Sequence, residues 1–225
     1  MIPRVHLATA HAPDGEELRL YSHDRDFMIL LRRDDLMSTR MRGSEEALAV
    51  ETIKRMAGRP APRLLIGGYG LGFTLRAALG ALGPDGHVTV AELVPEIVEW
   101  ARGPMAELTA GCLDDPRVEL RIGDVAETIA WSEHGFDAIL LDVDNGPDGL
   151  VQAGNDRLYS AAGLAAAKRA LRPGGILAVW SARPDAGFTR RLRGAGFTVE
   201  ETSVAARPNG KGPRHVIWFA RLPQR

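Results

Sequence analysis

From Arg63 onward, five short apolar runs, RLLIGG, HVTVAE, RVELRI, DAILLD and GILAVWS, alternate with the helix-patterned segments FTLRAALGAL, PEIVEWARGPMAEL, VAETIAWSE and GLAAAKRAL. That alternation needs crossover connections and predicts a parallel sheet covered by helices on both faces. Two further strand-like runs, FTVEETSVAAR and RHVIWFARL, are joined by RPNGKGP and read as a terminal antiparallel hairpin on the same sheet.

The first sixty residues read differently. ELRLYS at 17–22 and FMILLR at 27–32, separated by the polar HDRD, predict a β-hairpin. Ser44 then opens SEEALAVETIKRMAG as a helix, with Ser44 as its cap, two acids in the first turn and Gly58 at its end. The stiff RPAP at 59–62 forms the connection to the alternating region. The organisation expected is a hairpin segment over 1–43 and an α/β unit over 44–225.

Composition limits the function classes. At 225 residues, with 45% hydrophobic and 25% charged residues, the chain suits a single well-buried core. A formal net charge of −1 points to neither nucleic acid nor an anionic membrane as partner. A single cysteine, Cys112, excludes an internal disulfide, and no CxxC or histidine cluster suggests zinc. No apolar run approaches the ~20 residues needed to span a bilayer, and MIPRVHLATAHAPDG lacks the parts of a signal peptide. The expectation is a soluble cytoplasmic protein.

The chemistry starts at LLIGGYGLGFTL, residues 64–75, where an apolar strand breaks into glycines before a helix. Such a turn brings backbone amides and a helix amino terminus to the carboxyl edge of a parallel sheet, where these folds bind ligands. Gly68, Gly70 and Gly72 read as its contact surface. Glu92 follows about 20 residues later at the next strand end, placed to accept the hydroxyl protons of an adenosine ribose. That pattern fits NAD as well as a nucleoside sulfonium. Here, however, the spacing is GxGxG, with Phe73 where the dinucleotide pattern needs its third glycine. Asp124 and Asp142 add acids at the next two strand ends, a set that favours a cationic ligand and repels a pyrophosphate.

With IGGYGLG, AELVPEIVEWAR, DDPRVELRIGD, FDAILLDVDNGP and LYS at 158–160, the chain resembles class I S-adenosylmethionine-dependent transferases, and within them the spermidine synthase-like branch. The resemblance implies a Rossmann-like sandwich with a mostly parallel sheet and a terminal antiparallel hairpin, preceded by a small β-hairpin. It also implies S-adenosylmethionine or its decarboxylated form as cofactor. By position it gives Glu92 the ribose, Asp124 the adenine amino group, and Gly68, Gly70 and Gly72 the floor beneath nucleoside and sulfonium. Asp142 falls where the family places the acid that orients or deprotonates an attacking amine, with Asp144 as a second candidate base. Tyr159 matches a recurrent aromatic with a packing role. Pairing of family members through the amino-terminal segment suggests a homodimer.

Departures from the family set the activity expected. Spermidine synthases carry an aspartate in the turn, GGGDGG, whereas this chain has Tyr69, Gly70 and Leu71. The family's Tyr-His-Glu of the acceptor pocket is replaced by Ser44, Glu45 and Glu46, of which only Glu46 matches. Loss of the turn acid removes a charge that repels the carboxylate of intact S-adenosylmethionine, so methyl transfer to a small-molecule acceptor is the expected activity. Aminopropyl transfer to an amine is the alternative, and a non-catalytic nucleoside-binding protein a third reading. Trp131, Trp180 and Trp218 are expected to be packing residues, with Trp180 a candidate wall of the acceptor site. Lys211, Arg214 and His215 are expected to form a basic cluster on the last hairpin.

Overall fold

The computed structural model describes residues 3–31, 34–143, 146–147 and 156–224, with backbone only at 34–36 and 156. Two sheets organise the chain. The first is antiparallel in the order β1-β2-β3-β4, from β1 (Val5–His11), β2 (Glu17–His23), β3 (Asp26–Leu31) and β4 (Asp34–Ser38). The expected hairpin is its centre, with Leu18 opposite Leu31 and Ser22 opposite Phe27. The flanking strands escaped the sequence pattern for a physical reason. Most of β1 is exposed, so it lacks the apolar alternation of a half-buried strand and is held by its ladder to β2.

Helix α1 (Gly43–Arg55) links this sheet to the second one. Ser44 is inside the helix rather than its cap, which corrects the expectation. The cap position is Arg42, which offers no side-chain cap bond, while Ser44 is fully buried against the last strand.

The second sheet contains seven strands in the order β10-β11-β9-β8-β5-β6-β7. Its parallel part is β5 (Arg63–Gly67), β6 (His87–Glu92), β7 (Val118–Ile122), β8 (Phe136–Leu141) and β9 (Leu171–Ser181), in that chain order. Helices α2 (Phe73–Ala81), α3 (Pro95–Arg102), α4 (Ala106–Thr109), α5 (Val125–Ala130), α6 (Asp156–Tyr159), α7 (Ala161–Ala170) and α8 (Ala186–Gly194) make the crossovers and cover the faces. The expected single helix PEIVEWARGPMAEL is two, because Gly103 and Pro104 interrupt it.

The hairpin β10 (Thr198–Ala205) and β11 (Arg214–Arg221) closes the sheet through β9. Since β11 is antiparallel to both neighbours, β10 runs in the direction of the central strands. Its loop therefore emerges at their carboxyl edge.

Alternation along the strands divides the core. Leu64, Ile66, Ala138, Leu140, Ile176, Ala178, Ile217 and Phe219 face α1, α2 and α3, whereas Leu65, Ile139, Leu141, Leu177, Val179 and Trp218 face α7 and α8. β8 is buried at every residue, as a central parallel strand requires. Trp218 and Tyr159 are core residues, as expected, and each stands edge-on to Phe188. Trp131 is not. It is 89% exposed, one residue past α5, whose buried face is carried by Val125, Thr128 and Ile129.

Candidate functional site

The sheet order turns outward in both directions from the pair β5 and β8, the switch point at which open α/β sheets form a crevice at their carboxyl edge. Four of the expected site segments end there. The glycine turn follows β5, Glu92 ends β6, Asp124 follows β7, and Asp142 follows β8.

Glu92 is the support of the glycine turn. Its carboxylate is 4% exposed and accepts the Tyr69 N–H at 2.8 Å on one oxygen and the Val94 N–H at 2.9 Å on the other. Burial raises its pKa above the ordinary carboxylate range, while these backbone amides pull it back. The turn is closed further by Gly68 N–H donating to the Ala91 carbonyl and Gly72 N–H to the Tyr69 carbonyl.

The chain's own geometry demands glycine in this turn. Gly68 has φ +84°, and a Cβ there would lie 2.5 Å from the Asp142 carbonyl oxygen. Gly70 has φ +55°, and its Cβ would lie 2.6 Å from the Met37 sulfur of β4. The first sheet thus reaches over the turn of the second. The Tyr69 side chain folds back over the end of the turn: a Cβ on Gly72 would lie 2.7 Å from its hydroxyl, which is buried 3.4 Å from the Cys112 sulfur, and burial raises its pKa strongly.

Asp142 is half-buried and accepts a 2.7 Å hydrogen bond from the Thr74 hydroxyl of α2. That hydroxyl also lies 3.4 Å from the Glu45 main-chain oxygen, so the first turns of α1 and α2 meet at Asp142. Glu45 is close enough to Asp142 for their charges to interact. Its pKa is raised well above the ordinary range, by burial first and then by the neighbouring carboxylates of Asp142 and Glu46. Glu46 itself turns to Arg42, at 3.0 Å.

Sequence reasoning placed Glu45 at an acceptor-pocket position only as a departure from the family and gave it no role, although a signal for its inward placement was present. The buried positions Leu48, Ala49, Thr52 and Met56 trace one face of α1, and residue 45 continues that face one turn earlier.

Asp124 caps α5 by accepting the Ala126 N–H at 2.7 Å and is ion-paired with Arg157 of α6. The neighbouring Val125 packs over the glycine turn, within 2.9 Å of a Cβ built on Gly67. Asp144 lies outside the described residues.

On the far side of α1, Ser44 Oγ and His215 Nδ1 are 2.8 Å apart, and Trp180 stands edge-on to the His215 ring at 4.7 Å. The Trp180 indole N–H is buried without a hydrogen-bond partner among the described residues. The expected basic cluster is divided by strand alternation. His215 points inward and is 9% exposed, whereas Arg214 points outward and bonds Ser203. Burial lowers the pKa of His215, so it contributes a neutral ring rather than a charge.

Comparison with known proteins matches residues 52–185 to the spermine/spermidine synthase domain. The polyamine aminopropyltransferase of Mycobacterium tuberculosis is 37% identical over 145 residues, which are 60% of this chain and 27% of that protein. Polyamine aminopropyltransferase 2 of Pseudomonas aeruginosa is 33% identical over 165 residues, 67% of this chain and 45% of the relative. The matched part thus spans less than half the length of these curated relatives. Among solved structures, spermidine synthase from Thermotoga maritima superposes with a TM-score of 0.75 at 21% identity, covering 96% of this chain and 72% of that one. A spermidine synthase in complex with the transition-state analogue AdoDATO superposes with a TM-score of 0.74, also at 21% identity and the same coverage.

These relatives overturn the expectation of methyl transfer, since they are aminopropyltransferases by name. That expectation rested on one missing acid in the glycine turn. Carboxyl groups at this edge do not depend on the turn alone, because α1 brings Glu45 to Asp142.

Proposed function

Because the chain belongs to the spermine/spermidine synthase domain family, we propose that it transfers an aminopropyl group from decarboxylated S-adenosylmethionine to an amine. The observation that carries this reading is the meeting of Glu45 of α1 and Asp142, just past the end of β8, two interacting carboxylates beside the glycine turn. Burial and each other's proximity disfavour two ionised carboxylates here, an arrangement that a cation relieves, and both substrates of an aminopropyl transfer are cations in water.

The residues present suit the donor. Glu45, Glu92, Asp124 and Asp142 belong to one edge, a donor set that attracts a sulfonium and repels a phosphate. Glu92 would take the ribose, Asp124 the adenine amino group after exchanging its Arg157 partner, and Gly68, Gly70 and Gly72 the floor. The donor supplies a carbon–sulfur bond activated by positive sulfur. The protein's part is alignment and management of one proton.

Asp142 would hold the acceptor nitrogen in line. The Thr74 hydroxyl fixes one of its oxygens, leaving the carboxylate a defined orientation. Glu45 binds a proton more readily than an ordinary carboxylate, which suits it to receive the proton the amine must lose. Trp180, with His215 and Ser44 behind it, would form the neutral wall of the acceptor pocket.

The test is incubation of the purified protein with decarboxylated S-adenosylmethionine and a series of diamines and polyamines, following methylthioadenosine and the extended amine by mass spectrometry. Formation of both with at least one acceptor, reduced about 10² to 10⁴-fold in Asp142→Asn, is the expected result. Absence of methylthioadenosine with every amine tried would end the proposal.

A further inference from the structure

We propose a second ligand site, at the amino edge of the seven-stranded sheet, that binds a phosphate-bearing small molecule. The site is a cavity of about 520 Å³ walled by the first residues of β5, β6, β7 and β9, with Arg63, His87, Arg117, Glu119 and Arg172 among its lining. It lies at the opposite end of β5 from the glycine turn. Those ends, Arg63 and Gly67, are about 13 Å apart at 3.3 Å per residue. The volume is within the range of small-molecule sites.

The charges around it do not balance. Arg117 is neutralised by Asp115 at 2.8 Å and also binds the carbonyls of Leu79 and Leu82 at the end of α2. Glu119 is paired with Arg121 at 2.9 Å. Asp137, 2% exposed, is oversubscribed: it accepts from Arg59 at 2.6 Å, from Arg172 at 2.9 Å and from the Arg63 backbone N–H at 2.9 Å. One carboxylate against two guanidinium groups leaves one positive charge over. Arg63 adds another, since its guanidinium has no hydrogen bond or ion pair among the described residues.

Two uncompensated guanidinium charges facing a cavity match a dianion. Among the described residues, Arg63 offers five N–H donors without a partner, and Arg172 keeps its Nη2 unengaged beyond its bonds to Asp137 and the His134 carbonyl. His87 stands in register with Arg63 on the neighbouring parallel strand and adds a ring nitrogen at the same level. Planar guanidinium forks bind phosphate oxygens in pairs, which makes phosphate the fitting anion over a spherical halide. The donor site at the other edge, lined by carboxylates, excludes such a ligand, so the two ends of the sheet select opposite charge.

The inference is independent of the transfer reaction and is tested without turnover. Isothermal titration of the intact protein with inorganic pyrophosphate and, separately, with ATP is expected to show saturable binding with Kd below about 1 mM, weakening as salt is raised. Arg63→Gln, a change at an exposed side chain, should weaken binding at least tenfold while leaving the thermal melt in place. Arg172→Gln should weaken it as well. Tighter binding of ATP than of pyrophosphate would identify a nucleotide as the phosphate source, and equal binding a free phosphate. Failure of both probes to saturate, or binding that Arg63→Gln leaves unchanged, overturns the site.

Discussion

Ser44 and His215, 171 residues apart in sequence, share a buried 2.8 Å hydrogen bond between Oγ and Nδ1 that ties the first turn of α1 to β11. The same junction is closed by the Gly43 N–H donating to the Ala206 carbonyl at 2.9 Å. Glu45, the next residue, is thereby set against Asp142. Burial holds His215 below its ordinary pKa of 6.5, so the unfolded chain binds this proton more readily than the folded protein. The stabilising contribution is therefore intact above about pH 6.5 and is lost as pH falls through that value toward the folded pKa. Calorimetric melting should show Tm falling from about pH 7.5 to about pH 5.5, with a smaller fall in His215→Gln. Equal pH slopes in the two proteins would contradict the assignment.

Glu45 carries the opposite sign. Its folded pKa is raised, so keeping it ionised above its unfolded value near 4.5 costs stability. Glu45→Gln is expected to raise stability at pH 7 by about 0.5–2 kcal/mol, an advantage that fades as pH falls from the raised folded pKa toward the unfolded value and is absent below it. Transfer activity should drop about 10²-fold at the same time. Urea unfolding and product formation measured on one preparation check both halves, and a variant that is both less stable and fully active would refute them.

The glycine turn predicts two unequal costs. At Gly68 a Cβ meets the Asp142 main-chain oxygen, which cannot withdraw, whereas at Gly70 it meets the side chain of Met37, which can. Left-handed strain of about 1–2 kcal/mol applies to both, and overpacking adds about 1–3 kcal/mol where nothing yields. Gly68→Ala should therefore be the more damaging in urea titration, and Met37→Ala should relieve Gly70→Ala but not Gly68→Ala.

Asp137 anchors the amino edge by joining Arg59, Arg172 and the start of β5. Removing a buried carboxylate from such a group leaves its cations uncompensated. Asp137→Ala is expected to cost about 3–5 kcal/mol in equilibrium unfolding. A loss under about 1 kcal/mol would mean that the arginines find solvent freely.

The sequence alone was sufficient for the parallel sheet, because β5, β6, β8 and β9 are apolar runs separated by helical periodicity, and both patterns are local. It also brought Glu92, Asp124 and Asp142 to one edge, since a crossover sheet puts every strand end on the same side. Tertiary structure alone decided the rest. β1 exists through its ladder with β2, not through its own residues. Ser44 is a core hydrogen-bonding residue rather than a cap because β11 places His215 beside it. Trp131 is exposed because α5 turns its other face inward. Glu45 opposite Asp142, Met37 over Gly70 and the three arginines around the amino edge are contacts between segments distant in the chain. Local propensity carries no information about such pairs. They form only when the two sheets and the last hairpin close on α1.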